Sequence, residues 1–401
     1  MRRRHLLALT PAAALAACTT GDPSADGTGT ADGTSPSDGG ADAPTADSTP
    51  TEEPTTEPPT RAETLLDELE DRELAGQLVL VGVSAGSAVP EAALTEDHVG
   101  GIFLLQVWKS AADVEDAVNR AVELSRTDLP PLLAVDQEGG QVRMLRGDAA
   151  RRTPSAEELG AEGTDAVAEA YTSIGEDLAA RGLQVAFAPV ADVVDPDLGD
   201  GNAPVGALGR GFGTDPQQVG ECVVAAVEAL HGEGIAASLK HFPGLGRVTE
   251  NTDFSAQGIE DDVTSPEDPF LDSFRAGIDA GAEIVMMSSA IYPRIEPDVP
   301  AMFSRAAIQD LLRGQLGFDG LVVTDDIGAA RAVADVPVAE RATGLLEAGG
   351  DVLVTADPSI AGQLVDAIQE WAAASEEQAQ RVRESAGRML ALKERLGLLE
   401  E

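Results

Sequence analysis

Short apolar runs alternate with longer amphipathic segments through residues 61–401. The apolar runs have no alternating polar face, which is typical of parallel strands covered by helices. The segments between them, such as 111–124 and 216–231, are rich in Ala, Glu and Leu at helical spacing. The predicted strands are QLVLVGV (77–83), GIFLL (101–105), PLLAV (131–135), QVAFAPV (184–190), AASLK (236–240), EIVMMS (283–288), LVVT (321–324) and DVLVT (351–355).

Eight strands that alternate with helices predict an α/β fold, a (β/α)8 TIM-type barrel. An open doubly wound sheet is the alternative. No dinucleotide-binding fingerprint follows the first predicted strand. GALGRGFG (206–213) is rich in glycine, but no helix opens directly from it, so it predicts a loop and not a phosphate cradle.

Polar residues follow four of the predicted strands. The third runs into DQEGG (136–140), the fourth ends near Asp192, the fifth runs into KHFPGLG (240–246), and the seventh ends in Asp325 and Asp326. Each acidic residue alone could cap a following helix. The carboxyl ends of barrel strands meet on one face, where active sites lie. Four clusters on that face therefore indicate one functional site.

The residue types at these positions limit the chemistry. Downstream of residue 17 the histidines are His98, His231 and His241, and they are widely spaced, so the sequence predicts no metal site and no cofactor. What remains is a carboxylate-rich pocket with Lys240, His241 and Arg210. Carboxylates suit glycoside chemistry, in which one attacks an oxocarbenium-like centre while another group transfers protons.

Taken together, these motifs resemble glycoside hydrolase family 3, in its single-domain β-N-acetylglucosaminidase branch, over nearly all of residues 61–401. The most specific motif is LLRGQLGFDGLVVTDDIG (311–328), which implies that Asp325 is the nucleophile that attacks the anomeric carbon. DQEGG, FAPVADV, GRGFG, KHFPG and PAMFS are also similar to family motifs. The resemblance implies that the terminal sugar is bound by Asp136, Arg210, Lys240 and His241.

The loop after KHFPG departs from the family pattern. That branch usually carries a D-S-H triplet whose His is the acid/base, whereas GLGRVTENTDFS (244–255) places Asn251 and Asp253 at the Asp and His positions. Asp253 is then the acid/base candidate, because a carboxyl group beside a sugar can have a raised pKa. Glu250 is the second candidate on this loop. The alternatives are a protein that binds sugar but cleaves poorly, and an Asp253 that only caps a turn.

Three smaller expectations follow from the same comparison of motifs. An Arg expected shortly after DQEGG aligns with Met144, which Arg143 and Arg146 flank. Asp326 is expected to act as a cap and not as a catalytic group. The glycines at 244 and 246 predict a loop that can swing over the sugar.

The amino-terminal segment predicts export. Residues 1–17 place three Arg residues before an apolar stretch too short for a membrane span, as in a secretory signal peptide. The string LAAC resembles a bacterial lipobox and predicts lipidation of Cys18; an ordinary export signal is the alternative. Residues 18–60 are Thr-, Ser-, Pro- and Gly-rich and predict a disordered acidic tether. Cys222, in the run CVVAAV, is predicted to be a buried small residue.

Composition excludes one class of partner, and the family resemblance implies a carbohydrate as the expected one. A net charge of -43 argues against nucleic acid. The sequence predicts an exo-acting retaining glycosidase, held outside the cytoplasmic membrane by a lipid anchor, that removes terminal β-linked N-acetylglucosamine from cell-wall-derived glycans. One alternative is a β-glucosidase or β-xylosidase of the same family. Another is a lipoprotein that binds wall sugars without catalysis.

Overall fold

The structure of the protein is a computed structural model that describes residues 59–399. The predicted signal peptide, Cys18 and nearly all of the predicted tether lie outside the described residues. The strands are β1 (Val79–Ser84), β2 (Gly101–Leu105), β3 (Leu132–Val135), β4 (Gln137–Gly139), β5 (Val142–Arg143), β6 (Val185–Ala186), β7 (Ala236–Phe242), β8 (Ile284–Met287), β9 (Ile291–Tyr292), β10 (Glu296–Pro300), β11 (Leu321–Asp326) and β12 (Val352–Thr355).

The helices surround the strands. They are α1 (Arg61–Glu68), α2 (Asp71–Gly76), α3 (Glu91–Thr95), α4 (Ala111–Leu124), α5 (Ala156–Glu162), α6 (Thr164–Ala179), α7 (Pro216–Gly232), α8 (Asp272–Asp279), α9 (Val338–Ala348), α10 (Ala361–Ala372) and α11 (Glu376–Arg395), with a π-helix at Ala306–Gln315 between β10 and β11. Local sequence fixes several helix starts. Ser110 accepts a hydrogen bond from the backbone of Asp113 at the start of α4, and Asp215 caps α7, in which Pro216 is the first residue.

Eight of the strands form a closed parallel barrel in the order β1, β2, β3, β6, β7, β8, β11, β12, and β12 pairs with β1. Side chains of both strand faces are buried. One set fills the barrel interior, and the other packs against the helices. Met389 and Leu392 of α11 belong to the interior cluster, so the last helix covers the amino-terminal end of the barrel. The functional face is therefore the opposite end.

The closed barrel confirms the predicted fold and shows that the open sheet was the wrong alternative. The predicted fourth strand was too long, because only Val185 and Ala186 form ladder pairs there. Beyond them only an isolated parallel bridge forms, between Val190 and Lys240. Residues 206–213 form a loop with one short helical turn, as predicted, and Cys222 is buried. Between residues 59 and 399, no helix has the length and apolar character of a membrane span.

Candidate active site

A cavity of about 630 Å³ opens at the carboxyl-terminal face of the barrel. Residues that follow β2, β3, β6, β7, β11 and β12 line it. The sequence-predicted residues that line this cavity are Asp136, Arg210, Lys240, His241, Asp253 and Asp325. Strands far apart along the chain thus bring these side chains together, as their positions at strand ends predicted.

Lys240 and Arg210 are held by carboxylates on one side of the cavity. Nζ of Lys240, which is buried, lies 2.5 Å from Oδ1 of Asp136 and 2.6 Å from Oε1 of Glu138. Arg210 donates to both oxygens of Glu138, from Nε and from Nη2, at 2.8 Å each. A two-point guanidinium–carboxylate contact of this kind fixes geometry as well as charge. Asp136 remains half-buried at the cavity wall.

Glu138 anchors these two cations. Burial alone would raise its pKa, but Arg210 and Lys240 outweigh burial and hold the pKa of Glu138 at about 2. Burial alone would lower the pKa of Lys240, but the charges of Asp136 and Glu138 outweigh burial and raise it. Both partners are thus ionised near neutral pH. They form a rigid charged surface whose remaining donors and acceptors suit sugar hydroxyls.

Asp192 orients His241 from beneath the cavity. The buried Asp192 accepts from the backbone N–H groups of His241 and Leu245, at 3.0 and 2.9 Å. Its second oxygen lies 2.8 Å from Nδ1 of His241. Because a carboxylate can only accept, Nδ1 carries the proton, and Nε2 accepts from Nη2 of Arg210 at 3.3 Å. The imidazole is therefore held in one tautomer and one orientation.

The two aspartates at the end of β11 have different surroundings. Asp326 accepts from the backbone N–H groups of Gly328, Ala329 and Ala356, at 2.8, 2.8 and 2.7 Å. It therefore ties the loop after β11 to the end of β12 and does not cap a helix, because the next helical turn begins after Ala330. Asp325 accepts one such bond, from the backbone of Asp326 at 2.8 Å. Its carboxylate keeps lone pairs free in the cavity.

Asp253 stands on the loop after β7, and backbone contacts hold it at the cavity. The carbonyl oxygens of Thr252 and Asp253 accept from the backbone N–H groups of Ala332 and Arg331, both at 3.1 Å. The side chain of Asn251 accepts from the backbone N–H of Asp253 at 2.8 Å. The loop is thereby attached to the segment that follows Asp325. The side chain of Asp253 lines the cavity and is not used as a turn cap.

The carboxyl groups of Asp253 and Asp325 influence each other. Burial, and next the charge of Asp325, raise the pKa of Asp253 to about 6, against the opposing effect of Arg210 and His241. Burial also raises the pKa of Asp325, while His241 opposes the rise. Asp253 is exposed at the cavity opening, so solvent screens part of its shift until a sugar covers it. One of the two carboxyls can thus hold a proton while the other is ionised.

The other residues that the sequence analysis singled out lie outside the cavity or form a different part of its wall. Glu250 is exposed and is not among the cavity-lining residues. Met144 lines the cavity, whereas Arg143 and Arg146 donate to backbone carbonyls of their own hairpin. A Cβ at position 246 would lie 1.6 Å from the carbonyl oxygen of Val193, so Gly246 permits close packing at this point of the loop.

Sequence reasoning missed the positioning roles of Glu138 and Asp192. Both were within motifs that the sequence singled out, but neither was named as a site residue. Glu138 is buried on the short strand β4, and Asp192 is buried after β6. A buried carboxylate needs a partner. That rule, applied to every acidic residue after a predicted strand, could have found both.

This arrangement defines a class of protein. Within residues 59–399, no group of three His, Cys, Asp or Glu side chains is placed to hold a metal ion. The cavity instead offers an exposed carboxyl of raised pKa beside a second carboxylate, above a wall of charged hydrogen-bonding groups. Two carboxyl groups of different protonation state are the requirement of glycoside cleavage. The fold and the site together define a (β/α)8-barrel glycosidase.

The chain belongs to glycosyl hydrolase family 3. The model of the family's N-terminal domain matches residues 71–392. A β-hexosaminidase of Xanthomonas euvesicatoria is 37% identical over 303 residues, which cover 73% of this chain and 87% of that protein. The family assignment confirms the resemblance that the sequence motifs carried.

Solved structures agree with this assignment. The β-N-acetylhexosaminidase of Beutenbergia cavernae is 43% identical with a TM-score of 0.78, and the match covers 81% of this chain and 99% of that one. A family 3 β-N-acetylglucosaminidase from a Paenibacillus species is 30% identical with a TM-score of 0.73, over 83% of this chain and 64% of that one. The barrel of this chain is thus similar to the barrels of these two solved glycosidase structures.

Proposed function

We propose that the protein is an exo-acting, retaining β-N-acetylhexosaminidase with Asp325 as nucleophile and Asp253 as acid/base. The observation that carries this proposal is a pair of carboxyl groups at the cavity. Asp325, at the end of β11, accepts only one hydrogen bond within residues 59–399, and Asp253 is an exposed carboxyl of raised pKa. A cavity of about 630 Å³ suits one terminal sugar and its leaving group. The relatives named as β-hexosaminidases support the N-acetylated substrate.

In the first step, an oxygen of Asp325 attacks the anomeric carbon and displaces the leaving group. Asp253 gives its proton to the departing glycosidic oxygen, so the leaving group departs as an alcohol. Its raised pKa keeps that proton available in mildly acidic solution. Asp325 must be ionised to attack. His241 and Lys240, which oppose the effect of burial on its pKa, favour that form.

In the second step, Asp253 is a carboxylate and acts as base. It takes a proton from water as the water oxygen attacks the anomeric carbon. The bond to Asp325 breaks and the sugar is released with its original configuration, because two displacements invert the carbon twice. Asp253 then carries a proton again.

The charged wall holds the sugar during both steps. Asp136 can accept from sugar hydroxyls, while Lys240, Arg210 and His241 are placed to bind further oxygens of the same ring. Glu138 and Asp192 act through these residues. Their bonds fix the wall before the substrate arrives, which lowers the reorganisation needed in the transition state.

A panel of 4-nitrophenyl glycosides tests the proposed function. We expect kcat/KM for the β-N-acetylglucosaminide to exceed that for the β-glucoside and β-xyloside by at least about tenfold, a difference on the scale of one or two polar contacts. Asp325→Asn provides the background rate. A preference for the glucoside or the xyloside would favour the other activities of the family, and turnover of none would favour a sugar-binding protein.

We also propose export, lipidation at Cys18 and action on cell-wall-derived glycans. The support is the sequence of residues 1–18 and the tether-like composition of residues 18–60. A single acyl modification binds membranes weakly, whereas the multiple chains of a lipoprotein hold firmly. Cys18→Ala should move the protein from the membrane fraction to the soluble fraction after cell lysis. Retention of the variant in the membrane fraction would contradict the proposed anchor.

A further inference from the structure

Phe254 is the most exposed large apolar side chain that the structure describes. Its side chain is 83% exposed, while the other two of this kind, Val122 and Val263, are 46% and 45% exposed. It is also the next residue after Asp253 and lines the same cavity. An aromatic ring left in water beside the proton donor is available to a ligand.

The loop holds this ring in a defined place. The backbone N–H groups of Phe254 and Ser255 both donate to the carbonyl oxygen of Asn251, at 3.1 and 2.9 Å. Thr252 is buried, and its carbonyl accepts from Ala332. Residues on both sides of Asp253 are thus fixed by backbone bonds, so Asp253 and Phe254 are presented together.

The role of Asp253 as proton donor determines which part of the substrate lies against Phe254. A proton donor must reach the oxygen between the terminal sugar and its leaving group. The terminal sugar occupies the charged wall near Asp136 and Lys240, at the carboxyl ends of β3 and β7. The leaving group therefore extends from Asp253 towards the cavity opening, where Phe254 is exposed.

From this we infer that Phe254 is an aromatic platform for a leaving-group sugar, so that the preferred substrate is an N-acetylglucosamine-terminated disaccharide or longer chain. The inference rests on the proposed function. A β-linked pyranose carries axial C–H groups on each ring face, and such a face packs on an aromatic ring. A short alkyl leaving group would gain little from this ring.

Kinetics with two leaving groups test the platform. For N,N′-diacetylchitobiose, Phe254→Ala should lower kcat/KM about tenfold, the scale of one aromatic packing contact. For methyl β-N-acetylglucosaminide, kcat/KM should change less than about twofold, and Phe254→Trp should keep the use of the disaccharide. Val263→Ala, which truncates another exposed apolar side chain, is the matched control and should leave both substrates unchanged.

A binding measurement separates this inference from the proposed function. In the Asp325→Asn background, Phe254→Ala should weaken calorimetric binding of diacetylchitobiose about tenfold and leave that of N-acetylglucosamine unchanged. If the wild-type protein turns over neither substrate but this difference appears, the proposed function fails and the platform stands. Equal effects of Phe254→Ala on both substrates, or no effect on disaccharide turnover and binding, would overturn the platform.

Discussion

Two aspartates at opposite ends of the barrel, the fully buried Asp351 and the partly buried Asp325, differ in how many hydrogen bonds their carboxylates accept. Asp351 precedes β12 at the amino-terminal end, and Asp325 lies near the carboxyl end of β11. The donors to Asp351 are Arg313 (2.6 Å), Arg381 (2.9 Å), Arg388 (3.0 Å), Ser385 (2.9 Å) and the backbone of Val322 (2.9 Å). Asp325 accepts one hydrogen bond, from the backbone of its neighbour Asp326.

The pKa shifts follow from this difference. Burial would raise the pKa of Asp351, but its arginines outweigh burial and lower it. Burial raises the pKa of Asp325, and the neighbouring His241 and Lys240 oppose the rise without cancelling it. A buried carboxylate whose lone pairs are all used has none left to bind or attack a substrate. One whose lone pairs are left free destabilises the fold and is available for chemistry.

The largest expected effect comes from removing the free carboxylate. Asp325→Asn should lower kcat on aryl N-acetylglucosaminides on the order of 10⁴-fold or more, since no other group can attack the anomeric carbon. Because folding raises the pKa of Asp325, its ionised form costs folding free energy at neutral pH, and the variant with a neutral Asn should melt at a higher temperature. Asp319→Asn, at an exposed position just before β11, is the control. Near-full activity of Asp325→Asn would remove Asp325 from the nucleophile role.

Asp351→Asn should lower stability and leave activity nearly unchanged, the opposite of Asp325→Asn. Loss of the carboxylate leaves three arginines around a neutral group, and we expect a loss of about 3–5 kcal/mol of unfolding free energy in urea titrations. The kcat of the folded fraction should change little. Because folding lowers the pKa of Asp351, its contribution is present at neutral pH and is lost as pH falls through its folded pKa. The variant should therefore be less sensitive to acid. An Asp351→Asn variant that stays stable but has a low kcat would contradict the proposed difference between a structural Asp351 and a catalytic Asp325.

Asp253→Ala should separate substrates by leaving group. We expect kcat for alkyl or sugar leaving groups to fall roughly 10²–10³-fold, and far less for activated aryl groups, which need little protonation. Added azide should restore turnover, because it attacks the glycosyl-enzyme without a base. Glu250→Ala, on the same loop, should show neither effect. Equal slowing of both substrate types by Asp253→Ala would make Asp253 a structural residue.

The pH profile gives an independent measure of this carboxyl pair. In the wild-type protein Asp253 must be protonated and Asp325 ionised, so kcat/KM should be bell-shaped. The alkaline limb should fall with an apparent pKa above that of a free aspartate and no higher than about 6, because solvent screens part of the shift in the free enzyme. With an activated aryl substrate, Asp253→Ala should lose that limb and keep the acid limb. An alkaline limb that persists in the variant would place the proton donor elsewhere.

The smallest of these effects concerns the wall that binds the sugar. Glu138→Gln leaves Arg210 and Lys240 without the buried carboxylate that both cations contact. We expect kcat/KM to fall about tenfold to hundredfold, mainly through KM, with the limbs of the pH profile unmoved. Glu157→Gln, at an exposed position of α5, is the matched control. Unchanged KM would show that Asp136 alone positions the two cations.

Local patterns were sufficient to predict the barrel. Apolar runs and helical spacing are properties of neighbouring residues, so all eight barrel strands were placed. QVAFAPV was much too long, because its ladder ends at Ala186. The positions of Asp136, Lys240 and Asp325 at strand ends also predicted that they share a cavity. The barrel geometry supplies that convergence.

The remaining features depend on contacts between distant segments. Glu138 meets Arg210, and Asp192 meets His241, across different strands, and no sequence spacing encodes either pair. The placement of Asp253 depends on backbone bonds to residues 331 and 332. Its raised pKa depends on burial and on Asp325. The motif order located the catalytic loop, but only the fold showed that Asp253 lines the cavity and that Glu250 does not.

The central claim is that Asp325 forms the covalent bond to the sugar. A fluorinated, mechanism-based N-acetylglucosaminide with a good leaving group should form the glycosyl-enzyme faster than water releases it. Peptide mass spectrometry should then find one sugar adduct, on Asp325. The adduct should disappear in Asp325→Asn and persist in Asp351→Asn. An adduct on another residue, or inactivation without any adduct, would contradict the account.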